Sequence, residues 1–356
     1  MSDLLHLSLL GRPFSPIYAM VMRLRASLYA RGILTSYSLP VPVISVGNLT
    51  MGGTGKTPTV RYLAETLLGA GYRPAVVSRG YGGTAAEAVN VVADGRRILL
   101  NATAAGDEPY MLATAVAGLV VITGKKRILP CRYACEHLGC DIIVLDDGFQ
   151  HLQVRRDLDI VLFNATILAG NGHVFPGGEL REGLAALQRA DCIMLTGVAP
   201  VNRDKAETFA GWLHQRGYFH GPVFTAQNRI SGIFDMVGRP VDPPYPYSRF
   251  HAFSGIAHPD RFIASLQQCA VEITGHSRFA DHASYSPGIL SSLAERARRR
   301  DATALITTQK DWAKIKDIPC PLPTFYLGLE LQPEPLFFEQ LQSRLSHFSP
   351  AAHQHR

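Results

Sequence analysis

The sequence predicts an α/β protein built on a doubly wound parallel sheet, with a second, smaller α/β domain. Two observations favour this class. Short runs rich in β-branched residues alternate with helical patterns across residues 41–196, an order typical of a parallel sheet with helices on both faces. A glycine-rich loop, GNLTMGGTGKT at 47–57, joins the first such run to a helix, which is the context of a phosphate-binding loop.

The other predicted elements follow along the chain. Residues 58–70 have the pattern of a helix, with Pro58 near its start and Gly71 after its end. Residues 325–331 alternate as an exposed ribbon would, and residues 335–345 predict a last helix that closes the fold. The remaining predicted strands are 41–46, 74–78, 119–123, 141–145, 158–163, 192–196 and 305–308.

Changes of composition divide the chain into segments. Proline, glycine and tyrosine accumulate in GRPVDPPYPYSRF at 238–250, which indicates a junction or a loop. The predicted segments are a basic amphipathic helix at 1–34, a core domain around the phosphate loop at 35–225, a smaller α/β lid domain with a ribbon linker at 226–330, a helix returning to the core at 331–348, and a disordered tail at 349–356.

The charge of the chain restricts its partners. A net charge of +6 over 356 residues favours nucleotides, phosphorylated substrates or acidic lipid. The sequence has no zinc finger, no RNA-binding motif and no long basic run, so we expect no nucleic-acid partner. The six cysteines are scattered. Thiols in a reducing cytoplasm explain them better than a zinc site, which needs four well-spaced ligands.

The segment at 15–34 combines an apolar stripe with arginines. Its longest uncharged run is much shorter than the ~20 residues that span a bilayer. Arg23 and Arg25 flank the stripe, as in a helix that lies in a membrane interface. A helix packed on the protein's own core would show the same pattern, so both interpretations stay open. The stripe consists of Ile17, Met20, Val21, Leu24 and Leu28.

The glycine-rich loop predicts a P-loop NTPase-like fold that binds a nucleotide. Its glycines let the backbone approach an anion closely, and the N–H groups of the following helix face that anion. Lys56 is expected to reach the β- and γ-phosphates and Thr57 to hold Mg²⁺. The predicted nucleotide-binding residues are Thr50, Met51, Gly52, Gly53, Thr54, Gly55, Lys56 and Thr57.

A second feature supports nucleotide chemistry. The apolar run DIIVL ends in two carboxylates, Asp146 and Asp147. In phosphate-loop enzymes an aspartate at such a strand end binds Mg²⁺ directly or through water. Successive side chains of a strand point to opposite sides, so which of the two touches the metal stays open. No Asn-Lys-x-Asp string of the guanine-specific kind is present, which favours ATP over GTP.

Further strings give a resemblance to a known family. SRGYGG, GDEPYMLA, DDGFQH followed by RRDLDIVL, PGGELRE, FSGIAHPDRF, FADHASY and TTQKD come after the loop in the order found in the tetraacyldisaccharide 4′-kinases, the lipid A 4′-kinases of Gram-negative bacteria. The resemblance covers roughly residues 12–345. The sequence departs from the family pattern at Gly183, Ala283 and Gln309.

The resemblance implies an activity and a location. The family transfers the γ-phosphate of ATP, with Mg²⁺, to the 4′-hydroxyl of a tetraacylated disaccharide 1-phosphate, giving lipid IVA. It works at the cytoplasmic face of the inner membrane, so the resemblance favours a membrane-associating helix at 1–34, in a peripheral or monotopic protein. We expect a monomer.

The resemblance also implies roles for single residues. Asp107 is implied as the base that accepts the proton of the sugar hydroxyl, and His282 as its partner in a dyad. The implied metal environment consists of Thr57, Asp146, Asp147 and Glu182. The implied contacts to phosphate or substrate are Arg79, Gln150, His151 and Arg181.

Two other functions fit the residues. A nucleotide-switch ATPase, such as a metallochaperone or a partition protein acting on a protein partner, shares the variant loop. However, GDEP, DDGFQH and the basic amphipathic N-terminus are not expected in that class. A soluble kinase for a small metabolite would use the same chemistry. Detergent separates the two kinases, because an acyl-chain substrate requires micelles.

Overall fold

The computed structural model describes residues 11–243, 245, 247, 249–256, 258–269, 271–281 and 283–346. Residues 1–10 of the predicted N-terminal segment, the predicted tail at 349–356 and the predicted dyad residue His282 lie outside the described residues.

Seven strands form the first part of a mainly parallel sheet. They are β1 (Val43–Asn48), β2 (Pro74–Ser78), β3 (Asn90–Asp94), β4 (Val120–Thr123), β5 (Ile142–Asp146), β6 (Leu158–Asn164) and β7 (Cys192–Thr196). Their order in the sheet is β3-β4-β2-β5-β1-β6-β7, and β3 is the antiparallel member. The carboxyl ends of β1 and β5 are neighbours, so the phosphate loop and the predicted carboxylate pair lie at one edge of the sheet.

Helices cover both faces of these strands, as predicted for a doubly wound sheet. Ile44 of β1 packs in the same cluster as Leu63, and its neighbour Val43 packs with Cys131 on the opposite face. The helices of the fold are α1 (Ser15–Ala30), α2 (Lys56–Gly69), α3 (Ala102–Ala105), α4 (Asp107–Ala115), α5 (Ile128–Leu138), α6 (Arg203–Gln215), α7 (Pro259–Leu266), α8 (Pro287–Arg298), α9 (Gln309–Ile315) and α10 (Pro335–Ser346).

The sheet continues through a long strand, β8 (Val223–Asp235). β8 pairs in parallel with β7 and antiparallel with β13 (Thr324–Pro333). Beyond β13 the order is β12 (Ala304–Thr308), β10 (Arg249–Ser254) and β11 (Glu272–Arg278), and the short β9 (Pro240–Val241) pairs with β8. The described part of the chain therefore forms one thirteen-stranded sheet.

We call β1–β7 with α1–α6 and α10 the large lobe, and β10–β12 with α7–α9 the small lobe. β8 and β13 form the ribbon that joins them. The sheet is continuous across the predicted domain boundaries at 225 and 330, so the strand pairing does not mark them. The two boundaries stay predictions.

The prediction of an exposed ribbon at 325–331 is wrong for its first half. Phe325, Tyr326 and Leu327 are buried, because this part of β13 lies between β8 and β12. Leu329 and Glu330 extend past the end of β12 and are exposed.

Two helices from the end of the chain pack on the large lobe. α9 lies against α4, and Trp312 of α9 packs in the same core cluster as Tyr110 of α4. α10 follows β13 back to the large lobe, where Phe337 and Leu341 join the core cluster that contains Leu63 of α2. The helix predicted at 335–345 is thus present, and it completes the core on one face of the sheet.

Helix α1 lies on the large lobe with its predicted apolar stripe turned away from the core. Ser15 donates a hydrogen bond to the carbonyl of Val174 (2.7 Å), and the ring of Tyr18 meets Phe175 edge-on. No helix among the described residues is long and apolar enough to cross a membrane. Leu28 of the predicted stripe is half-buried, and the exposed large apolar side chains at 14–24 are Phe14, Ile17, Met20, Val21 and Leu24.

Candidate active site

The phosphate loop turns sharply from β1 into α2. Gly55 adopts a left-handed conformation (φ 83°) and caps the helix, which therefore begins at Lys56 rather than at the predicted Pro58. The positive φ favours glycine, and a Cβ at Gly55 would also lie 3.1 Å from Oγ1 of Thr196, which would have to move slightly to accommodate it. The first N–H groups of α2 have no partner within the helix and are available to an anion.

Neighbouring segments hold the loop from both sides. The N–H of Met51 donates to the carbonyl of Glu179 (2.8 Å), and the N–H of Arg181 donates to the carbonyl of Leu49 (2.7 Å). On the other side, Oγ1 of Thr196 donates to the carbonyl of Thr54 (2.7 Å). The loop is therefore preorganised by contacts from two other parts of the chain, which reduces the ordering cost of binding a phosphate.

Lys56 connects the loop to the carboxylates that follow β5. Its Nζ lies 3.3 Å from Oδ1 of Asn48 and 3.5 Å from Oδ1 of Asp147. Arg181 reaches the same carboxylate, with Nη1 2.9 Å from each oxygen of Asp147. Burial alone would raise the pKa of Asp147, but Lys56 and Arg181 outweigh it and hold that pKa below its usual value. Asp147 is thus an ionised carboxylate with two cationic partners.

Asp146 has the opposite environment. It is the last residue of β5 and is buried, and its Oδ1 has no hydrogen-bond partner among the described residues. Burial, followed by the negative charges of Glu108 and Asp147, raises the pKa of Asp146 to about 7. A buried carboxylate oxygen without a hydrogen-bond partner has the chemistry of a cation ligand, which fits the predicted metal role of Asp146. Oxygen donors from Asp146 and the Thr57 hydroxyl fit the preference of Mg²⁺.

Glu182, predicted in the metal environment, already has a cationic partner. Nη2 of Arg189 lies 3.1 and 3.0 Å from its two carboxylate oxygens. The guanidinium of Arg189 also stacks over the ring of Phe149, in the DDGFQH string, at 4.7 Å from the ring centre. The contact between Arg189 and Phe149 joins the segment after β6 to the loop after β5. A contact of Glu182 with a metal stays a prediction.

The predicted phosphate contacts at 150 and 151 lie beside β1. Nε2 of Gln150 donates to the carbonyl of Asn48 (3.0 Å), while Nη1 of Arg25 donates to the carbonyl of Gln150 (3.0 Å). Burial, then the charges of Arg127 and Arg25, lower the pKa of His151 to about 4, so its imidazole is neutral at pH 7.

Arg127 was not singled out in the sequence. It immediately precedes α5 and is buried, with Nη2 3.5 Å from the carbonyl oxygen of Asp146. Burial lowers its pKa, and the charges of Asp146 and Asp147 oppose that change. Its neighbour Arg79 is exposed after β2. Arginine is rarely buried unless it is paired, so the burial of Arg127 beside the two carboxylates indicates a site residue. The sequence alone does not show this burial.

Asp107 lies in the first turn of α4, after Gly106 in a left-handed conformation (φ 92°). The adjacent Glu108 is near enough to Asp146 to raise its pKa, so this turn faces the same end of the sheet as the phosphate loop. Oδ2 of Asp107 lies 3.0 Å from Nζ of Lys314, a residue of α9 that the sequence did not single out. The predicted dyad with His282 is not tested by the described residues.

Three strings of the small lobe meet at one carboxylate. Asp311, in TTQKD, is fully buried and accepts hydrogen bonds from the N–H of Gly255 (2.9 Å), the hydroxyl of Tyr285 (3.0 Å) and the hydroxyl of Thr308 (2.8 Å). Gly255 belongs to FSGIAHPDRF and Tyr285 to FADHASY. The network fixes the positions of these three strings relative to one another.

The fold and the site define a class of protein: an enzyme with a phosphate-loop fold, in which a glycine-rich loop leads into a helix and two carboxylates follow a neighbouring strand at the same end of the sheet. Comparison with known proteins gives the family. The family model of tetraacyldisaccharide-1-P 4′-kinase matches residues 7–346. The chain therefore belongs to the tetraacyldisaccharide 4′-kinase family, whose members are kinases that act on a lipid disaccharide.

Individual relatives agree. The chain is 46% identical to the tetraacyldisaccharide 4′-kinase of Desulfotalea psychrophila over 317 residues, 89% of this chain and 90% of that protein. It is 42% identical to the one from Geobacter sulfurreducens over 320 residues, 89% of this chain and 87% of the relative. The crystal structure of the "apo" form of LpxK from Aquifex aeolicus in complex with ATP superposes with a TM-score of 0.75 at 29% identity, covering 94% of this chain and 97% of that chain.

These comparisons confirm the family and the fold class predicted from the sequence, and they do not favour the nucleotide-switch alternative. The roles of single residues stay predictions.

Proposed function

We propose that this kinase transfers the γ-phosphate of ATP to the 4′-hydroxyl of a tetraacyldisaccharide 1-phosphate, giving lipid IVA. The carrying observation is that Asp107 shares the first turn of α4 with Glu108, whose charge acts on Asp146, in the site where Lys56 meets Asp147. The solved relative with ATP supports the choice of nucleotide. Phosphoryl transfer depends mainly on positioning and charge neutralisation, and this site is built for both.

In this proposal, different residues of the chain bind the nucleotide, hold the metal and contact the phosphates. The loop and the first turn of α2 bind the triphosphate, with Lys56 on its β- and γ-oxygens. Asp146 and Thr57 would hold Mg²⁺, which supplies positive charge against the phosphate oxygens. Asp147 stays ionised and orients Lys56 and Arg181 towards the transferred group. Neutral His151, with Arg79 and Gln150, is placed for contacts to the phosphates of substrate or nucleotide.

Asp107 accepts the proton of the attacking 4′-hydroxyl in this proposal. A carboxylate within hydrogen-bond reach of the hydroxyl increases the nucleophilicity of its oxygen as the proton leaves. Its place at the start of α4, on a rigid element packed between α9 and the sheet, supports this role. His282 is proposed as its partner.

The exposed stripe of α1 supports work at a membrane surface. Ile17 and Met20 are 57% and 64% exposed, too much for residues that pack on the protein's own core. Arg25 of the same helix bonds to the carbonyl of Gln150, so the stripe is joined directly to the site. We propose a monomer bound peripherally or monotopically to the cytoplasmic face of the inner membrane, which brings the site to its acylated substrate.

The test is transfer of label from γ-labelled ATP with Mg²⁺ to tetraacyldisaccharide 1-phosphate in mixed micelles, with Lys56→Ala as the control. Label on the lipid that the control loses would support the proposal. A folded, ATP-binding protein that labels no lipid would disprove it, and labelling of a soluble sugar without detergent would favour the metabolite kinase.

A further inference from the structure

We propose that Lys314 is a positioning residue for the transfer reaction. Its ammonium joins the carboxylate of Asp107, in the large lobe, to the backbone of the small-lobe loop formed by residues 279–281 and 283–285. The inference rests on the proposed function, because it takes Asp107 as the group that receives the proton.

The first observation is the environment of the ammonium. The side chain of Lys314 is 8% exposed, and its Nζ lies 3.0 Å from Oδ2 of Asp107 and 3.0 Å from the carbonyl oxygen of Ala283. A buried ammonium is costly unless it has such acceptors. Its two partners come from different lobes, so the same cation fixes the direction of one carboxylate oxygen and the path of one loop.

The second observation is that the packing of α9 on α4 does not depend on this charge. Trp312 and Ala313 already bury apolar surface in the cluster that contains Tyr110. Lys316 adds a cation over the ring of Tyr110, with Nζ 4.8 Å from the ring centre. These contacts hold α9 on α4 without the ion pair between Lys314 and Asp107. A buried ion pair adds little net stability, so its main effect is to fix the orientation of its two side chains.

The third observation is that α9 contacts this loop at three described residues, Asp281, Ala283 and Tyr285. Lys310 pairs with Asp281 (3.0 Å), Asp311 accepts from Tyr285 (3.0 Å), and Lys314 donates to Ala283. Of these three side chains, Lys314 also contacts Asp107 in the first turn of α4. The loop and the base are thus set relative to each other through one side chain.

The experiment compares Lys314→Met with the matched variant Lys316→Met in the micelle assay. Methionine keeps the length and apolar stem of lysine and removes the charge. Lys314→Met should lower kcat about tenfold or more, because small displacements of reacting groups are costly, while KM for ATP stays within about twofold. Lys316→Met should keep kcat near that of wild type. Melting temperature and ATP binding check that each variant is folded.

A double-mutant cycle separates positioning from a general loss of structure. If Lys314 acts through Asp107, Lys314→Met should change kcat by less than about twofold in the Asp107→Asn background. An equal loss of kcat in both backgrounds would overturn the inference, as would a normal kcat in Lys314→Met. Wild type that transfers no phosphate to lipid would instead contradict the proposed function, so the two failures are distinguishable.

Discussion

Asp147 accepts two hydrogen bonds from Nη1 of Arg181, each 2.9 Å long, although the two residues come from separate loops. With Lys56 3.5 Å away, this carboxylate has two cationic partners, whereas the adjacent Asp146 has an oxygen without a hydrogen-bond partner in the described residues. The pKa values of the two neighbours are consequently moved in opposite directions. Consecutive carboxylates with separated pKa values indicate separate tasks.

The two carboxylates should therefore respond oppositely to neutralisation. In metal-free protein at pH 8, Asp146→Asn should raise the melting temperature by about 2 °C or more, because it removes an uncompensated buried charge. Asp147→Asn should lower it, because Lys56 and Arg181 lose their partner. Differential scanning fluorimetry without Mg²⁺ measures both. Equal shifts of the same sign would contradict the division of tasks.

The gain from Asp146→Asn should also depend on pH. The folded-state pKa of Asp146, about 7, lies above its unfolded value of 3.8, so the wild-type protein loses stability as the pH rises from about 4 to about 7. The loss is complete above pH 7. The gain in melting temperature should thus be larger at pH 8 than at pH 5, and a gain independent of pH would mean that charge is not its cause.

Asp107→Ala should lower kcat by about 10² or more and leave ATP affinity near that of wild type, since general base catalysis contributes about 10²–10⁴. Steady-state kinetics in micelles and ATP binding by calorimetry measure the two quantities. A near-normal kcat would remove Asp107 from the role of base.

Two glycines of the phosphate loop provide a matched pair. Gly55→Ala should destabilise the protein by about 1–2 kcal/mol, because its positive φ disfavours a side chain and the new Cβ meets Thr196. At Gly53 no atom lies within 4 Å of an added Cβ, so Gly53→Ala should leave stability nearly unchanged. Denaturant unfolding compares them, and similar losses in both variants would show that the loop is not held as described.

The exposed stripe of α1 can be tested without deleting the helix. Ile17→Glu with Met20→Glu should reduce flotation with anionic liposomes and leave the melting temperature unchanged, because both side chains point away from the core. Val201→Glu, at a residue 95% exposed elsewhere, is the control. Unchanged flotation of the double variant would disprove membrane binding through this stripe.

The sequence predicted the elements that carry strong local signals. The phosphate loop has glycines at fixed offsets, and β5 is a short apolar run that ends in carboxylates, so periodicity and motif were sufficient for both. β8 was not predicted, because VFTAQNRISGIFD interleaves polar and apolar residues and lies beside a proline-rich segment that suggested a junction. α6 was missed in the same region, although Phe209 and Leu213 have helical spacing.

Among the site residues, too, only those in local motifs were predicted. Lys56, Asp146 and Asp147 belong to recognisable sequence motifs. Arg127 and Lys314 can be identified as site residues only from their burial and from contacts with residues distant in sequence. A lysine on a polar helix face looks solvated until the fold places it 3.0 Å from Asp107.

The return of α10 to the large lobe has a consequence for how the protein is made. Phe337, Leu341 and Leu345 complete the core cluster that contains Val60 and Leu63 of the helix after the phosphate loop. A ribosome must therefore translate past Leu345 before that core can close, although the loop at 47–57 is synthesised much earlier. A stop codon before α10 would leave a chain that contains the phosphate loop but lacks the helix that completes the core beneath it.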